Sequence, residues 1–371
     1  MPVHTFEIIQ AITEPDMLAA LSLFKFPQKR IEDFLLSTKS VPSIKKTLSY
    51  INPGFKDILF FKNSTTFPSA PFYCVIRLEP LAFIQKKRTI NVFDCTRENN
   101  ELLQNNFHQT MRTFLGDAIP QLTALNCWNC RRIDYTENLR FASLDEVTTF
   151  LDLTKKTSLY LRSQQLNLPI KTTNASTAEG NKSYKFMIYD KQRQVSKTYT
   201  DIPAIEKEGL WEASHGIARL EIQCQKGKVQ SIAKNLPSRA IFNYLDESIA
   251  GKIIHQHYQK AVHYGNFYSL YYAKKKIADA SLSSHKQKQL IQFLQLIAQT
   301  RHLDKAKEQF LTGTKIKRTP LLVKGSANTF RKRLQELAEL NINPMLLTKE
   351  SKLKFFQNPL QIPNASCFDQ I

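Results

Sequence analysis

Three segments in the middle of the chain alternate apolar and polar residues with a period of two. They cover residues 130–136, 183–190 and 216–224. Because successive side chains of a strand point to opposite faces, each segment predicts a strand with one apolar and one polar side. The polar sides carry Arg132, Asp134 and Thr136 in the first strand, Lys185, Met187, Tyr189 and Lys191 in the second, and Arg219, Glu221 and Gln223 in the third. A further strand is predicted between Pro71 and Pro80.

Apolar residues follow a helical period in other parts of the chain. They predict helices over residues 98–115, 203–213, 249–272, 284–310 and 328–340, and one that begins after the capping pair Ser143 and Glu146. Residues 171–182 are polar and predict a loop. We therefore expect an α+β fold, an antiparallel sheet with helices on one face, followed by a mostly helical C-terminal region. The Asp-Ala-Ser-Leu-Ser-Ser stretch near residues 278–284 suggests a boundary between domains at 1–280 and 281–371.

The composition is that of a basic, folded protein. The 371 residues are 42% hydrophobic and include 24 Phe, enough for a sizeable core. Lys and Arg number 52 against 32 Asp and Glu, a formal net charge of +20. Such a charge predicts a polyanionic partner, with a generally basic surface as the alternative. The first residues lack the pattern of a signal peptide, and no stretch approaches the roughly 20 apolar residues of a membrane span, so we expect a cytoplasmic protein without a membrane partner.

The six cysteines give little sign of a metal or redox site. Cys127 and Cys130 have a C-x-x-C spacing, but no second pair completes a zinc site. Buried or incidental thiols are expected.

The polar sides of the three strands combine residues that suit phosphodiester transfer. If the strands adjoin in one antiparallel sheet, Asp134, Glu221, Tyr189 and Lys191 rise from the same face. A tyrosine hydroxyl, whose usual pKa is about 10, needs help to act as a nucleophile. Two carboxylates can hold Mg²⁺ or Mn²⁺ on the scissile phosphate, and a lysine can stabilise developing charge. Each residue alone is ordinary on a half-exposed strand, and only their combination indicates chemistry.

Three motifs in order carry a resemblance: Arg132-Ile-Asp-Tyr-Thr136, Met187-Ile-Tyr-Asp-Lys191 and Ala218-Arg-Leu-Glu-Ile222. The chain resembles the replication-initiation proteins of filamentous phages, the gene II/X family. It is also similar to rolling-circle initiators and nicking enzymes of Gram-positive plasmids and integrative elements. The segment from Thr319 to Pro344 looks like the closing helix of that family. The resemblance covers roughly residues 90–350, and residues 1–95 match only loosely.

The resemblance implies a metal-dependent DNA endonuclease and strand transferase of rolling-circle replication. It implies Tyr189 as the nucleophile that forms a phosphotyrosine intermediate, Lys191 as a catalytic lysine, and Asp134 and Glu221 as ligands of Mg²⁺ or Mn²⁺. Its partners would be origin DNA, single- and double-stranded, with host helicase and polymerase; the oligomeric state stays open. The family's further acidic positions have no clear counterpart, and Asp190 points to the other face by parity.

Several basic residues are candidates for DNA contacts. They are Arg132, Arg219, Lys274, Lys275, Lys276, Arg331, Lys332 and Arg333. The run from Tyr271 to Lys276 suits stacking of bases and binding of phosphates, but a solvated helix end explains it equally well. The basic side of the helix over residues 328–340 suits a DNA groove or phosphates, or is an ordinary amphipathic side.

Other interpretations remain open. His255-Gln-His257 has the spacing of a metal-binding His-x-His strand, but a helix is expected there, which separates the two side chains. Other tyrosines could serve instead of Tyr189: Tyr184 lies on the opposite face of its strand, and Tyr160 and Tyr199 lack the Tyr-x-Lys context. The rival functions are a conjugative relaxase, which shares the chemistry, and a non-catalytic DNA- or RNA-binding regulator.

Overall fold

The computed structural model describes residues 2–37, 42–62, 72–157, 171–173, 176–199, 202–317, 322–348, 351 and 353–360. Within these ranges ten strands form one sheet in the order β2-β3-β4-β1-β6-β10-β9-β8-β7, with β5 also paired to β1. Neighbouring strands run antiparallel. Their bounds are β1 Pro2–Ile12, β2 Ser43–Thr47, β3 Phe55–Lys62, β4 Phe72–Leu78, β5 Phe93–Asp94, β6 Asn129–Arg140, β7 Lys171–Thr173, β8 Ser176–Gly180, β9 Tyr184–Asp190 and β10 Ile217–Cys224.

The described helices fall into a group around the sheet and a C-terminal group. The first comprises α1 Glu14–Leu23, α2 Gln28–Leu35, α3 Pro80–Gln85, α4 Arg97–Leu115, α5 Pro120–Thr123, α6 Leu144–Thr154, α7 Lys191–Thr198, α8 Ala204–Ala213, α9 Lys226–Ala233 and α10 Glu247–Val262. The second comprises α11 Leu270–Ala278, α12 Ser284–Thr300, α13 Leu303–Thr312 and α14 Ala327–Glu339. Short pairs of strands accompany the second group, β11 Phe267–Tyr268 with β14 Phe355–Phe356, and β12 Thr314–Lys315 with β13 Leu322–Val323. The predicted α+β fold, with an antiparallel sheet and a helical C-terminal region, is confirmed.

The three alternating segments are neighbours in the sheet, as their pattern predicts. β6 pairs with β10, and β10 pairs with β9. Their apolar sides, with Ile133, Tyr135, Leu220 and Ile188, are fully buried in the main core against helices such as α6 and α10. The side chains that alternate with them therefore share the opposite face.

Two helices cover one end of that opposite face. α7 and α8 pack over β9 and β10 through a small apolar cluster of Val195, Leu210 and Ile217, joined by Ile90. The helix α7 follows β9 directly because Asp190 is its N-cap and accepts the backbone N–H of Arg193 at 3.0 Å. The two helices thus cover one end of the polar face, and the part of that face beside them is accessible.

Three sequence predictions about element bounds are wrong. The helix over residues 249–272 ends at Val262, where His263 takes a positive φ of 66°, and β11 intervenes before α11. The helix over 284–310 is two helices, broken at Arg301 with φ 55°. The polar segment 171–182 is not only loop, since β7 and β8 extend the sheet beyond β9. In each case backbone pairing or a left-handed residue overrides local pattern.

The main core continues past the predicted boundary at residue 280. It includes Ile277 of α11 and Leu290, Phe293 and Phe310 of the C-terminal helices. The division into 1–280 and 281–371 stays a prediction. In the described part of the chain, every helix is too short or too polar to cross a membrane.

Candidate active site

The polar face of the sheet forms one wall of a cleft of about 880 Å³. Strands from both halves of the sheet and the helix α7 supply its walls. The lining residues are His4, Thr5, Thr47, Ser49, Lys56, Asp57, Arg77, Glu79, Arg132, Asp134, Lys185, Met187, Tyr189, Asp190, Arg193, Gln194, Lys197, Thr198, Glu221 and Gln223. The set includes the tyrosine and both carboxylates singled out in the sequence, so the structure brings these three into one cleft.

Tyr189 points its hydroxyl at Glu221. In the register of β9 and β10, Tyr189 lies opposite Arg219 and diagonal to Glu221, so all three share a face. The Tyr189 Oη donates to Glu221 Oε2 at 3.0 Å, and the Gln223 amide donates to the other carboxylate oxygen at 2.7 Å. Burial, and then the Glu221 charge, raise the pKa of Tyr189 well above its usual range. The phenol is therefore held neutral, with a carboxylate oriented to take its proton.

Asp134 is the second buried carboxylate of the cleft. It lies opposite Gln223 on the neighbouring strand, and therefore diagonal to Glu221. Arg132 donates to both of its oxygens, from Nε at 2.9 Å and from Nη2 at 2.7 Å. Burial and the charge of Glu221 nevertheless raise the pKa of Asp134 to about 7. Two carboxylates that repel each other in a cleft offer a place where a cation would be favoured.

Arg219 lies wholly inside the protein. Its side chain is 0% exposed, and it donates to Asn138 Oδ1 at 2.9 Å and to the carbonyl oxygen of Ile90. The predicted direct DNA contact of Arg219 therefore does not fit this structure, because α7, α8 and the segment around Ile90 enclose it. Its charge lies beside the phenol of Tyr189 and opposes the rise in that group's pKa.

Lys191 lies on the same side but not on the strand. The strand ends at Asp190, and Lys191 is the first residue of α7, with its Nζ donating to Gln194 Oε1 at 2.7 Å. It is 1% exposed, and burial followed by the charge of Arg219 lowers its pKa to about 7. Glu221 is the next influence, which places the ammonium near the carboxylate that faces the tyrosine.

His4 is a cleft residue that the sequence pattern missed. β1 and β6 pair Val3 with Tyr135 and Thr5 with Asp134, so His4 is an extra residue, a β-bulge. The bulge lets His4 and Thr5 both line the cleft while Val3 stays in the core. Burial and the charges of Arg219 and Lys191 lower the pKa of His4 well below its usual range, which keeps the imidazole neutral. Alternation alone assigns His4 to the apolar side, because a bulge depends on pairing with a distant strand.

The cleft offers a divalent cation two carboxylate ligands, which is only part of a full ligand set. Among the described residues, no group of three or more His, Cys, Asp or Glu side chains is placed to hold a metal ion. Mg²⁺, however, keeps several waters and is often bound by one or two carboxylates together with a substrate phosphate. Asp134 and Glu221 are buried, mutually repelling and face a cleft wide enough for a phosphate, which matches that kind of site.

The other predicted DNA-binding residues, apart from Arg132, lie outside the cleft. Arg132 lines it. Lys275, Arg331 and Lys332 are exposed, and Lys274 and Lys276 are half-buried on α11. Arg333 is engaged within the protein: it donates to Glu336 on its own helix at 2.7 Å and to Gln289 on α12. A basic rim that was not singled out as DNA-binding does line the cleft, with Lys185, Arg193 and Lys197. Lys56 and Arg77 also line it, but they are ion-paired with Glu79 and Glu7.

The alternative sites gain no support from their surroundings. His255 and His257 both lie on α10, and His257 is buried with its ring 4.6 Å from that of Tyr184. Cys127 is exposed while Cys130 is buried, and both are free thiols. Tyr184 is buried on the apolar side of β9, Tyr199 packs beside the small apolar cluster, and Tyr160 lies outside the described residues.

Comparison with known proteins gives no relative. No protein family, no curated protein and no solved structure matches this chain. The resemblance to replication initiators therefore rests on the three sequence motifs.

Proposed function

We propose that this protein initiates rolling-circle replication by nicking and rejoining one DNA strand through Tyr189. The observation that carries the proposal is the hydrogen bond from the Tyr189 hydroxyl to Glu221, inside a cleft that also contains Asp134. The two neighbours of the phenol, a carboxylate and a buried arginine, are what a phenol needs to become a nucleophile. Lys185, Arg193 and Lys197 at the cleft and the net charge of +20 suit a DNA strand.

In the proposed reaction Tyr189 Oη attacks the scissile phosphorus as its proton passes to Glu221. The bond from phosphorus to the 3′ oxygen breaks, and the 5′ phosphate stays on the tyrosine. Lys191, whose pKa is about 7, lies behind the lining of the cleft at 1% exposure. It would have to turn from Gln194 towards the bound strand to donate a proton to the departing 3′ oxygen, which leaves a free 3′-hydroxyl for polymerase. Rejoining is the reverse reaction.

Asp134, with Glu221 Oε1, would hold Mg²⁺ or Mn²⁺, which neutralises charge on the phosphate when it is bound; Glu221 Oε2, the oxygen that faces Tyr189, is then the one that takes the proton. Arg132 holds the Asp134 carboxylate in place through two hydrogen bonds. Arg219 stabilises negative charge on the tyrosine oxygen from inside the protein, as the lowering effect of Arg219 on the pKa of Tyr189 suggests. A conjugative relaxase would use the same chemistry at a transfer origin.

The test uses a supercoiled plasmid that carries the DNA flanking this chain's own gene. With Mg²⁺ or Mn²⁺ we expect relaxation and a detergent-resistant DNA adduct that mass spectrometry maps to Tyr189. The variant Tyr189→Phe should abolish both, and Tyr199→Phe should retain them, because Tyr199 packs against the apolar cluster outside the cleft. Relaxation by Tyr189→Phe, or DNA binding without relaxation by the parent protein, would favour the non-catalytic regulator.

A further inference from the structure

A second surface, formed by β11, β14 and α11, displays aromatic rings next to lysines. Its aromatic members are Tyr268, Tyr271, Tyr272 and Phe355, and its basic members are Lys276 and Lys354; we call these six residues the aromatic patch. Tyr271 is 70% exposed and Phe355 is 52% exposed. Large aromatic side chains with this much exposed surface commonly mark a binding site.

The aromatic patch is assembled from two distant parts of the chain. Tyr268 of β11 pairs with Phe355 of β14, and their ring centroids are 5.9 Å apart. The neighbouring residues on these strands, Phe267 and Phe356, point the other way and are buried against Phe150 and Phe141. The inner pair therefore anchors the strands in the core, and the outer pair is held in a fixed position at the surface.

Lysines lie over the rings of the aromatic patch. Lys276 Nζ is 5.8 Å from the ring centroid of Tyr268, and Lys354 Nζ is 5.8 Å from that of Tyr272. The sequence from residue 265 to 278 carries three lysines and no acidic residue, and that from 351 to 359 carries two lysines and no acidic residue. The charge therefore favours a polyanion over an apolar or basic protein partner.

We propose that the aromatic patch binds single-stranded DNA, with bases stacked on Tyr271 and Phe355 and phosphates on the lysines. Exposed rings beside cations match single strands, since unpaired bases offer their faces to aromatic side chains and their phosphates to lysine. The proposal rests on the proposed function for the identity of the nucleic acid as DNA. In that setting the aromatic patch would retain a strand outside the nicking cleft.

The test measures binding of a fluorescent oligo(dT) by anisotropy, in the full chain carrying Tyr189→Phe so that no cleavage can occur. Stacking is worth about 1–3 kcal/mol per base, so Tyr271→Ala and Phe355→Ala should each weaken binding by about 5- to 160-fold. Tyr271→Trp should retain binding, and Lys354→Gln should weaken it with a salt dependence shallower by about one phosphate contact. The matched control is Tyr50→Ala, because Tyr50 is 71% exposed and lies outside the aromatic patch.

The two alanine variants are independent probes, since each removes a solvent-exposed ring from a different segment. Thermal unfolding of each variant verifies that it is folded. Binding within twofold of the parent in both variants would overturn the proposal, as would an equal loss with Tyr50→Ala or an equal loss for duplex DNA. Because oligo(dT) binding needs no scissile site, this result does not depend on whether Tyr189 nicks DNA.

Discussion

The two halves of the sheet arrange the charges of their polar face in different ways. In the N-terminal half, formed by β2, β3, β4 and β1, acids and bases pair across strands: Lys45 with Asp57 at 2.9 Å, Arg77 with Glu7 at 3.1 Å, and Lys56 with Glu79 at 2.9 Å. In the C-terminal half, formed by β6, β10 and β9, a phenol rests on a carboxylate and two ionisable groups have pKa values displaced to about 7.

The difference separates paired charges from charges with displaced pKa values. On the N-terminal half each acid is neutralised by a basic partner that is itself partly exposed, from 23% to 49%. On the C-terminal half, burial disfavours the charged forms of Asp134 and Lys191 and shifts their pKa values. Such shifts are common at functional sites. Both halves share one cleft, so substrate held by the first would react at the second.

Of the variants that leave Tyr189 in place, Glu221→Gln should cause the largest loss of adduct formation. The amide can neither take the proton of Tyr189 nor bind a cation, so adduct formation should fall by about 10²–10⁴-fold. Quantifying the covalent adduct over time measures the loss.

The matched control for that variant is Glu7→Gln, the same substitution on the same face of the N-terminal half. Glu7 lies outside the cleft lining and pairs with Arg77 at 3.1 Å, and its more distant approach to Arg132, 3.7 Å, leaves the two hydrogen bonds from Arg132 to Asp134 in place. We expect less than about fivefold change, in line with the small value of such pairs. Equal losses in the two variants would contradict the division between the halves.

Lys191→Met should lower the nicking activity and raise the stability of the folded chain. Nicking should fall by about 10²-fold, because the departing oxygen loses its positive neighbour. The folded chain should become more stable at pH 7, because burial lowers the pKa of Lys191 from its usual value of 10.5 to about 7 and a charged lysine costs free energy there. Thermal unfolding and adduct formation are measured on the same sample.

The pH dependence of that stability has a definite sign. Between about pH 7 and 10.5 the unfolded chain binds the proton of Lys191 and the folded chain does not, so the parent gains stability as pH rises through this window. Lys191→Met should remove that part of the slope. A lower melting temperature in Lys191→Met at pH 7 would show that the ammonium is not an unfavourable buried charge.

Nicking should pass through a maximum as pH rises. Asp134 must be ionised to hold a cation, so activity should rise with pH at first, and a bound cation favours the ionised form and moves that rise to lower pH than in the metal-free protein. Lys191 must be protonated, and its pKa of about 7 makes activity fall as pH rises further. Rates over pH 5–9 test this, with Lys191→Met as the diagnostic variant, since methionine carries no proton to donate and the alkaline limb should disappear with most of the rate. An alkaline limb that persists in Lys191→Met would remove Lys191 from the proton transfer.

The alternation of apolar and polar residues alone predicts which side chains of the candidate site share one face of the sheet. The period of two in β6, β9 and β10 is sufficient to place Asp134, Tyr189 and Glu221 on one face, and their antiparallel order confirms that placement. Local pattern carries this information because each strand has one side in the core.

What alternation could not predict depends on contacts between distant segments. His4 enters the cleft through a bulge defined by pairing with β6, and Arg219 is enclosed by α7, α8 and the segment around Ile90. The aromatic patch joins Tyr268 to Phe355 across a long stretch of intervening chain. No local periodicity specifies such pairings, so the local pattern neither places His4 in the cleft nor predicts that Arg219 is buried.

The smallest effect is expected from Lys45→Gln, at the far edge of the N-terminal half. Lys45 is 49% exposed and pairs with Asp57, so solvent and salt screen the interaction. Unfolding in urea should show a loss of about 0.2–1 kcal/mol that fades at about 1 M salt, where the Debye length falls to about 3 Å. Adduct formation should stay at the parent rate, because Lys45 lies outside the cleft lining and Asp57, which lines it, keeps Arg77 as a partner at 3.7 Å. If the rate falls instead, a lysine on a strand far from β10 in the sheet contributes to the reaction, and the N-terminal half cannot be treated as a purely stabilising surface.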